Sequence, residues 1–564
     1  MSSNLQTVTI STYLCCRLKA LGVGHIFGIP GDYVLPFFDE LIDGPHGVEH
    51  ILVCNELNGA YAADGYAKVT GFGAMAVTFG VGSFSTINAV AGAFADSTPL
   101  IVIAGAPTVQ VLTTPTERKL HHAMDTNFDA CVEAFRPITV ASHRLMSVAT
   151  APREIDEILR IAYQKKKPVY LEIPYDLQTE QVPLSGEPVD LILNQSSDKN
   201  LRAAVEATRE ILQKAKTRAI VAGHLLQRES LVSEAKGLVK SLNAAVATTF
   251  VGKIADLEGD SNAAGLYMGG MSNEITRKAV EGADATIALG MTLNEFDTGI
   301  FTARLEGESC IWADFDKVTI GSRVFDKVYL RQFVPDLLSC CKNISEGNLN
   351  IGKGRRFYFE RADKFTSTEK PLRIDRLFVQ FANYFKSGDL VFGDTGGYIN
   401  AAQAEFPSGV DIFGCGNYGS LGSGFGMFTG AVFSHQAAKR RRYIITGDGA
   451  FHMTAQEVST LIKYGIDCVI FILDNQGYGA ERQIYPGKER SYNNTPVWAY
   501  ESLGQAMGGT EGRNTTGYIA ATEKEMDAIF AQLTEPVGVN IVRIKLDPWD
   551  SASYNVKFSQ ALRH

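Results

Sequence analysis

Residues 443–481 read YIITGDGAFHMTAQEVSTLIKYGIDCVIFILDNQGYGAE, and the pattern of apolar residues within them predicts the class of fold. It contains two short apolar runs, 443–446 and 469–473, whose length and β-branched residues are typical of buried strands. The segment between them, 454–464, has the period of a helix. A strand, a helix and a second strand predict a parallel βαβ unit, in which the loops after both strands leave the same edge of the sheet.

These two loops carry side chains that suit a metal ion. Asp448 follows the first strand, and Asn475 follows the second, 27 positions later. Together with the backbone carbonyl of Gly477 they offer hard oxygen donors to Mg²⁺, whose remaining positions would go to phosphate oxygens and water. Gly447 and Gly449 leave room for a diphosphate, which a helix N-terminus would favour. Two ordinary capped turns are the alternative, and the spacing of the two loops favours the metal site.

The same alternation of strand and helix extends over the rest of the chain. Further strands are predicted at 25–29, 51–54, 74–79, 100–104, 169–173, 219–222, 285–289, 311–313 and 390–392. Polar, turn-rich stretches at 184–200 and 343–370 separate them into three series. We therefore predict an α/β protein with three doubly wound parallel-sheet domains, at 1–185, 195–345 and 365–564.

Composition excludes several classes of partner. The 564 residues carry 53 basic and 62 acidic side chains, and no basic run could follow a nucleic-acid backbone. The longest apolar stretches are far shorter than the ~20 residues that span a bilayer. The polar first residues, followed by an amphipathic segment with Arg17 and Lys19, are unlike a signal peptide. Nine cysteines without a CxxC pair are typical of reduced thiols. We expect a cytoplasmic protein with no nucleic-acid or membrane partner.

The motif of Gly447, Asp448 and Gly449 followed by Asn475 resembles the thiamine diphosphate motif. Other segments are similar to the 2-oxo acid decarboxylase branch of that superfamily, which contains the pyruvate, indolepyruvate and phenylpyruvate decarboxylases. They are GIPGD at 28–32, NELN at 55–58, YAADGY at 61–66, LHH at 120–122 and GYGAE at 477–481. The resemblance implies the thiamine diphosphate-binding fold, thiamine diphosphate and Mg²⁺ as cofactors, and a small 2-oxo acid as substrate. It also implies a homodimer or homotetramer with active sites between subunits.

Several residues acquire cofactor roles from this resemblance. Glu56 begins a helix after an apolar strand, where a cleft of low dielectric would favour its protonated form. The resemblance implies that it bonds the aminopyrimidine ring of the cofactor, whereas a capping glutamate is the alternative. Leu421 resembles the bulky residue that bends the cofactor, and the Gly419 carbonyl would accept from the amino group. Thr395 and Ala450 complete the predicted cofactor contacts, although Ala450 lacks the hydroxyl that many relatives carry.

Four further residues are predicted to be catalytic. His121 and His122 lie in a segment without helical or strand period, which suggests a functional loop. Two adjacent histidines alone are more often surface residues, and the combination with Asp32 and Glu481 favours the functional interpretation. Neutral imidazoles beside carboxylates can move protons at neutral pH. In the implied mechanism these four side chains help expel carbon dioxide, protonate the resulting enamine and release an aldehyde.

Departures from the family pattern bear on the substrate. Gly479 and Ala480 stand where relatives usually have a Thr-Ile pair, and the loop 394–399 also differs. The smaller side chains predict a larger pocket, and hence an aromatic or branched 2-oxo acid such as phenylpyruvate or indolepyruvate. Pyruvate as the substrate is the alternative. The residues predicted to line the substrate pocket are Phe296, Ile399, Ala480 and Ile484.

Three other functions compete with this interpretation. GCGNYG at 414–419 matches a dinucleotide-binding pattern, but no acid ends a following strand at the required spacing. A catalytically silent binding protein would leave Glu56, Asp448 and Asn475 free to vary, yet all three are suitable. A carboligase or flavin-containing synthase of the same superfamily is disfavoured by the His121-His122 pair.

Overall fold

The computed structural model describes residues 6–114, 119–184, 194–342, 344–345, 347–362 and 364–562. These residues form three large sheets and a small antiparallel pair, Gln6–Thr9 with Gln181–Leu184. Each large sheet is wholly or mainly parallel and is accompanied by helices. The predicted class of three parallel-sheet α/β domains is therefore confirmed, while the predicted domain boundaries stay predictions.

The first large sheet is parallel throughout. Its inner strands Gly73–Val77 and Leu100–Ala106 are buried along their whole length, as expected for strands covered on both faces. In spatial order its strands are Glu49–Leu52, His25–Gly28, Gly73–Val77, Leu100–Ala106, Val169–Pro174 and Ala141–Arg144. The α-helices of this region are Ile10–Ala20, Leu35–Asp43, Glu56–Thr70, Val81–Ser85, Ile87–Ala95, Val109–Thr113, Ala130–Phe135 and Ala151–Lys165.

The second sheet has an antiparallel edge that the sequence interpretation missed. Five parallel strands are followed by Lys317–Ile320 and Arg323–Asp326, which pair antiparallel. In spatial order its strands are Ala263–Tyr267, Ala245–Thr249, Arg218–Ala222, Ala285–Leu289, Cys310–Ala313, Lys317–Ile320 and Arg323–Asp326. Its α-helices are Asp198–Lys214, Leu225–Arg228, Val232–Leu242, Ala255–Glu258, Glu274–Glu281 and Leu330–Cys341.

The third sheet, again parallel throughout, contains the βαβ unit predicted from residues 443–481. In spatial order its strands are Asp411–Gly414, Leu390–Gly393, Arg442–Gly447, Cys468–Asp474, Val539–Lys545 and Thr515–Ala520. The α-helices of this part of the chain are Ile374–Tyr384, Thr395–Ala402, Ser423–Ala431, Asp448–Thr454, Glu457–Lys463, Gly479–Ile484, Leu503–Ala506, Glu523–Gln532 and Ser553–Ala561.

Two local predictions in this sheet need correction. The segment 394–399, predicted as a loop, forms the start of the helix Thr395–Ala402, because the Asp394 side chain accepts a hydrogen bond from the Thr395 N–H and caps it. The single helix predicted at 454–464 is two helices, Asp448–Thr454 and Glu457–Lys463. The first of them begins directly after the strand.

The chain divides into two compact units. One consists of Met1–Leu193, Tyr418–Arg440 and Thr454–Ile466, and the other of Asn194–Asn417, Arg441–Met453 and Asp467–His564. The first unit therefore contains the first sheet together with helices that follow strands of the third sheet in the sequence. The second unit contains the second and third sheets. Among the described residues, no helix is both long and apolar enough to cross a bilayer.

Candidate active site

The proposed metal ligands converge at one edge of the third sheet. Strands Arg442–Gly447 and Cys468–Asp474 are parallel neighbours with Gly447 opposite Leu473, so Asp448 and Asn475 follow adjacent strand ends. With its nitrogen turned towards the acceptors, the Asn475 amide lies 2.8 Å from the Gly477 carbonyl oxygen and 3.3 Å from Asp448 Oδ1. The three predicted ligand groups therefore lie close together, and turning the Asn475 amide over would direct its oxygen to the same point.

Asp448 is a buried carboxylate, with 1% of its surface exposed. It accepts hydrogen bonds from the Gly449 N–H at 2.8 Å and from the Thr495 hydroxyl at 3.1 Å. Burial, assisted by the nearby charge of Asp474, raises the pKa of Asp448 to about 6 despite these bonds. Ligation of a cation would replace the missing counter-charge, so this donor set fits Mg²⁺.

The strand order places this edge at a switch in topology. Leu390–Gly393 and Arg442–Gly447 are neighbours in the sheet. The strand that follows the first of them lies towards one edge of the sheet, and the strand that follows the second lies towards the other edge. Such switch points at the carboxyl ends of parallel strands are where α/β proteins bind ligands. Thr395, predicted to contact the cofactor, begins its helix after the first of these strands, and its hydroxyl lies 3.3 Å from Cys415 Sγ. Ala450 is buried in the first turn after Asp448.

A buried arginine that the sequence interpretation missed holds the loop that contains Asn475 and Gln476. The guanidinium of Arg482, 2% exposed, donates to the backbone carbonyls of Asn475 at 3.2 Å and Gln476 at 3.1 Å. It also donates to Asn494 Oδ1 at 3.0 Å and to the Pro548 carbonyl at 3.2 Å. The sequence signal was weak, because Arg482 lies in a short helix next to the exposed Glu481.

Asp32, His121 and His122 form the second cluster, in the first unit. Asp32 follows the strand His25–Gly28, and its two carboxylate oxygens face the two Nε2 atoms. His121 Nε2 is hydrogen-bonded to Oδ2, and His122 Nε2 lies 3.5 Å from Oδ1. Partial burial alone would raise the pKa of Asp32, but the hydrogen bond and the charges of both histidines outweigh it and lower that pKa. The structure thus brings together three of the four predicted catalytic side chains.

Glu56 is positioned by the residues on either side of it. It is half-buried at the start of the helix Glu56–Thr70, which Asn55 caps by accepting from the Asn58 N–H at 2.8 Å. The fully buried Glu457 Oε1 accepts from the Cys54 N–H at 2.9 Å and from the Asn58 side-chain amide at 2.8 Å. Sequence interpretation missed Glu457, although a glutamate on the apolar face of a helix was a signal for it.

The loop with Gly419 and Leu421 is attached to the same helix. Ser420 Oγ is hydrogen-bonded to the Tyr61 hydroxyl at 2.7 Å and accepts from Asn88 Nδ2 at 2.9 Å. Gly419 has a positive φ of 66°, and Leu421 is 38% exposed. A rigidly held loop that presents an exposed leucine is consistent with the predicted cofactor contact.

The predicted pocket residues all lie in the second unit. Phe296 and Ile399 pack against one core cluster, where Phe296 stacks on Phe250 and Phe558 at centroid distances of 4.9 and 5.2 Å. Ala480, Glu481 and Ile484 lie on the helix Gly479–Ile484, which packs on the helix Ser553–Ala561 that contains Phe558. Glu481 is exposed and belongs to the second unit, whereas Asp32, His121 and His122 belong to the first.

Comparison with known proteins gives matches over most of the chain. Three models of the thiamine pyrophosphate enzymes match: the N-terminal TPP binding domain at residues 8–131, the central domain at 205–339 and the C-terminal TPP binding domain at 394–543. Pyruvate decarboxylase 2 of Oryza sativa subsp. japonica is 32% identical over 535 residues, covering 93% of this chain and 86% of the rice protein. Pyruvate decarboxylase isozyme 3 of Saccharomyces cerevisiae is 28% identical and covers 99% of this chain and 98% of the yeast protein.

Proposed function

Because the chain belongs to the thiamine diphosphate-dependent 2-oxo acid decarboxylase family, we propose that its preferred substrate is a 2-oxo acid larger than pyruvate, with an aromatic or branched side chain. The family sets the reaction, which converts a 2-oxo acid to an aldehyde and carbon dioxide with thiamine diphosphate and Mg²⁺.

Asp448, Asn475 and the Gly477 carbonyl would hold the Mg²⁺, since the carboxylate, the side-chain amide and the carbonyl converge, and turning the Asn475 amide over would present its oxygen to the ion. The described hydrogen bonds of the buried Asp448 carboxylate come from a neutral N–H and a hydroxyl, so a cation would balance its charge. The bound cofactor supplies a nucleophilic carbon and accepts the electrons left by carbon dioxide. Glu56 would hold the pyrimidine end of the cofactor by a hydrogen bond. Because its neighbours Cys54 and Asn58 are both hydrogen-bonded to Glu457, the backbone that carries Glu56 is held in place.

Asp32, His121 and His122 transfer the proton that the reaction adds to the reacting carbon. Once carbon dioxide has left, the reacting carbon needs one proton before the aldehyde can leave. An imidazole can donate this proton at neutral pH and recover it from solvent, which the exposure of both histidines permits. The Asp32 carboxylate is ionised at neutral pH, since both histidines lower its pKa further, and it orients the two rings. Glu481 is proposed as a further acid in this step.

The substrate preference is supported by the small size and exposure of Ala480. Ala480 lies in the first turn of the helix Gly479–Ile484, directly before the proposed catalytic Glu481, so a larger side chain there would occupy exposed space. Gly479 does not contribute to this volume, because a Cβ at that position would lie 2.5 Å from the Asn475 side chain. The additional pocket volume is therefore provided by Ala480, and Phe296, Ile399 and Ile484 are the proposed apolar lining.

Steady-state kinetics with a panel of 2-oxo acids tests the substrate. We expect kcat/KM for phenylpyruvate or indolepyruvate to exceed that for pyruvate by at least about tenfold, since each buried methylene contributes ~0.8 kcal/mol. Ala480→Ile should narrow or reverse this ratio. The matched control is Ala531→Ile, an exposed alanine on the helix Glu523–Gln532, which should leave the ratio unchanged. A wild-type preference for pyruvate would overturn the proposal.

Oligomeric state and location are also proposals. We propose a homodimer or homotetramer with active sites between subunits, supported in the first unit by large exposed apolar side chains at Val81, Met124, Tyr418 and Leu421. Sedimentation analysis of the holoenzyme measures the state directly. A cytoplasmic location remains a prediction from the sequence.

A further inference from the structure

The Asp32 cluster has the composition of a zinc site as well as that of a proton-transfer site. Asp32, His121 and His122 each offer one ligand atom, and these three atoms lie within 4.8 Å of one another. Two imidazoles and one carboxylate are typical protein ligands of Zn²⁺ in sites that leave a fourth position for water. Mg²⁺, by contrast, prefers oxygen donors.

The surrounding structure holds these side chains in place without a ligand. The ring of Tyr33 stacks on His121 with the centroids 5.2 Å apart and the planes inclined by 23°. His122 has a positive φ of 66°, which is uncommon for residues other than glycine. A Cβ at Gly80 would lie 1.8 Å from the His122 carbonyl oxygen, so the backbone that carries His122 lies directly against Gly80.

Little movement separates this arrangement from coordination. His121 Nε2 already contacts one Asp32 oxygen, and His122 Nε2 lies 3.5 Å from the other. A cation entering between them would replace the proton that the hydrogen bond shares, and the imidazole would keep its remaining proton on Nδ1. The ligands are accessible, since the His121 side chain is 62% exposed and that of Asp32 is 45% exposed.

We propose that Asp32, His121 and His122 bind one Zn²⁺ ion, or a chemically similar cation such as Co²⁺, and that this binding inhibits the decarboxylase. The ion occupies the nitrogen lone pairs that proton transfer needs, so the zinc-bound enzyme cannot protonate the reacting carbon after carbon dioxide has left. The binding rests on the geometry alone, whereas the inhibition rests on the catalytic role proposed above. This site is separate from the Mg²⁺ site at Asp448, which has oxygen donors.

Calorimetric titration of the holoenzyme with Zn²⁺, in saturating thiamine diphosphate and excess Mg²⁺, tests the binding. We expect one site per chain whose affinity falls at least about tenfold in His121→Ala and in His122→Ala, because each loses one ligand. Both side chains are exposed, so both variants should keep the wild-type thermal midpoint and cofactor affinity. Absorption spectra of Co²⁺ added in place of Zn²⁺ report the same loss.

His143→Ala is the matched control, because His143 is a half-exposed histidine that pairs with Glu154 at 3.0 Å outside the cluster. It should retain the full zinc affinity. Unchanged zinc binding in both cluster variants would overturn the site and assign the ion to other ligands, such as the exposed Cys54 and Cys340.

Activity measurements test the inhibition separately. Zn²⁺ should abolish wild-type turnover, and a chelator added with excess Mg²⁺ should restore it. If excess Mg²⁺ alone, without a chelator, relieves the inhibition, the zinc ion is assigned to the Asp448 site and the proposal is overturned. Zinc bound at the cluster without loss of turnover would disprove the inhibition and the catalytic role together, while leaving the binding site intact.

Discussion

Asp448 is a carboxylate whose surroundings penalise its charge until a cation is bound. Its burial raises its pKa to about 6, above the ordinary value near 4, so the metal-free folded chain binds a proton here more tightly than the unfolded chain does. Because the pKa of Asp448 is higher in the folded chain, its protonation stabilises the folded chain, and this contribution is fully present when the pH is below the unfolded-state pKa. That stability is lost as the pH rises through about 6.

Asp448→Asn should therefore stabilise the metal-free protein at neutral pH. The asparagine carries no charge, so the gain grows from about pH 4 to about pH 6 and then levels off. We expect the thermal midpoint in chelator to rise by about 2 °C or more at pH 7.5 and to match the wild type near pH 4. The same variant should lose Mg²⁺-dependent cofactor binding in a calorimetric titration. A destabilised variant at pH 7.5 would contradict the burial argument.

Glu56 has a role that can be separated from cofactor binding. Glu56→Gln keeps the size of the side chain and the hydrogen bonds of its neighbours to Glu457, so cofactor affinity should survive. Exchange of the thiazolium C2 proton, followed by quenched-flow NMR, should slow by on the order of 10² to 10⁴, the range for a positioned acid or base. Glu49→Gln, at a glutamate of the first sheet whose side chain is 78% exposed, serves as the control and should exchange at the wild-type rate. Wild-type exchange in Glu56→Gln would remove the residue from its proposed role.

The loop after strand Cys468–Asp474 is held by Arg482, a side chain that is not itself a proposed ligand of the ion. Arg482 bonds the carbonyls of Asn475 and Gln476 and joins them to Asn494 and Pro548. Without the arginine each of these carbonyls would lose a charged donor, and a hydrogen bond to a charged group contributes about 1.5–3 kcal/mol. The arginine therefore fixes the direction in which the Asn475 side chain leaves the strand.

Arg482→Met should weaken metal binding while leaving every proposed ligand in place. We expect the Mg²⁺ concentration for half-saturation to rise about 10- to 100-fold, the range for residues that orient metal ligands. Arg482→Lys should recover part of this loss, because a lysine can bond one of the carbonyls. Arg376→Met, which breaks an ion pair with Glu523 in the same unit, controls for loss of a charge. Equal Mg²⁺ affinity in Arg482→Met and Arg376→Met would show that the loop holds its shape without the arginine.

Sequence patterns predicted the elements whose local signals are strong. The strands after which Asp448 and Asn475 stand were found because buried parallel strands are continuous apolar runs. The antiparallel strands Lys317–Ile320 and Arg323–Asp326 were missed because they are short and charged, although Gly321-Ser322 between them is a hairpin signal. Arg482 and Glu457 could not be assigned in the same way, since their partners at Pro548 and Cys54 are far away in the sequence.

At the scale of the whole molecule, the residues proposed to bind one cofactor are divided between the two compact units. Glu56, Gly419 and Leu421 belong to the first, whereas Thr395, Asp448 and Asn475 belong to the second. One chain therefore contains both sets. Whether a working site takes both sets from one chain or from two chains is a question that mixed oligomers can answer.

Co-expression of Glu56→Gln chains with Asp448→Ala chains should restore activity if active sites lie between subunits. In a symmetric dimer built this way, each mixed dimer has one site with both defects and one site with none. Random pairing makes half of the dimers mixed, so about one quarter of wild-type activity is expected. The matched control combines Asp448→Ala with Asn475→Ala, two defects in the same set, which leaves every site of a mixed dimer damaged and should restore nothing. Purifying the mixed dimers through two different tags allows their turnover to be measured alone, at about one half of the wild-type value per dimer. If the Glu56→Gln and Asp448→Ala mixture stays as inactive as the control, each site is built from a single chain, and the proposal of sites between subunits is wrong.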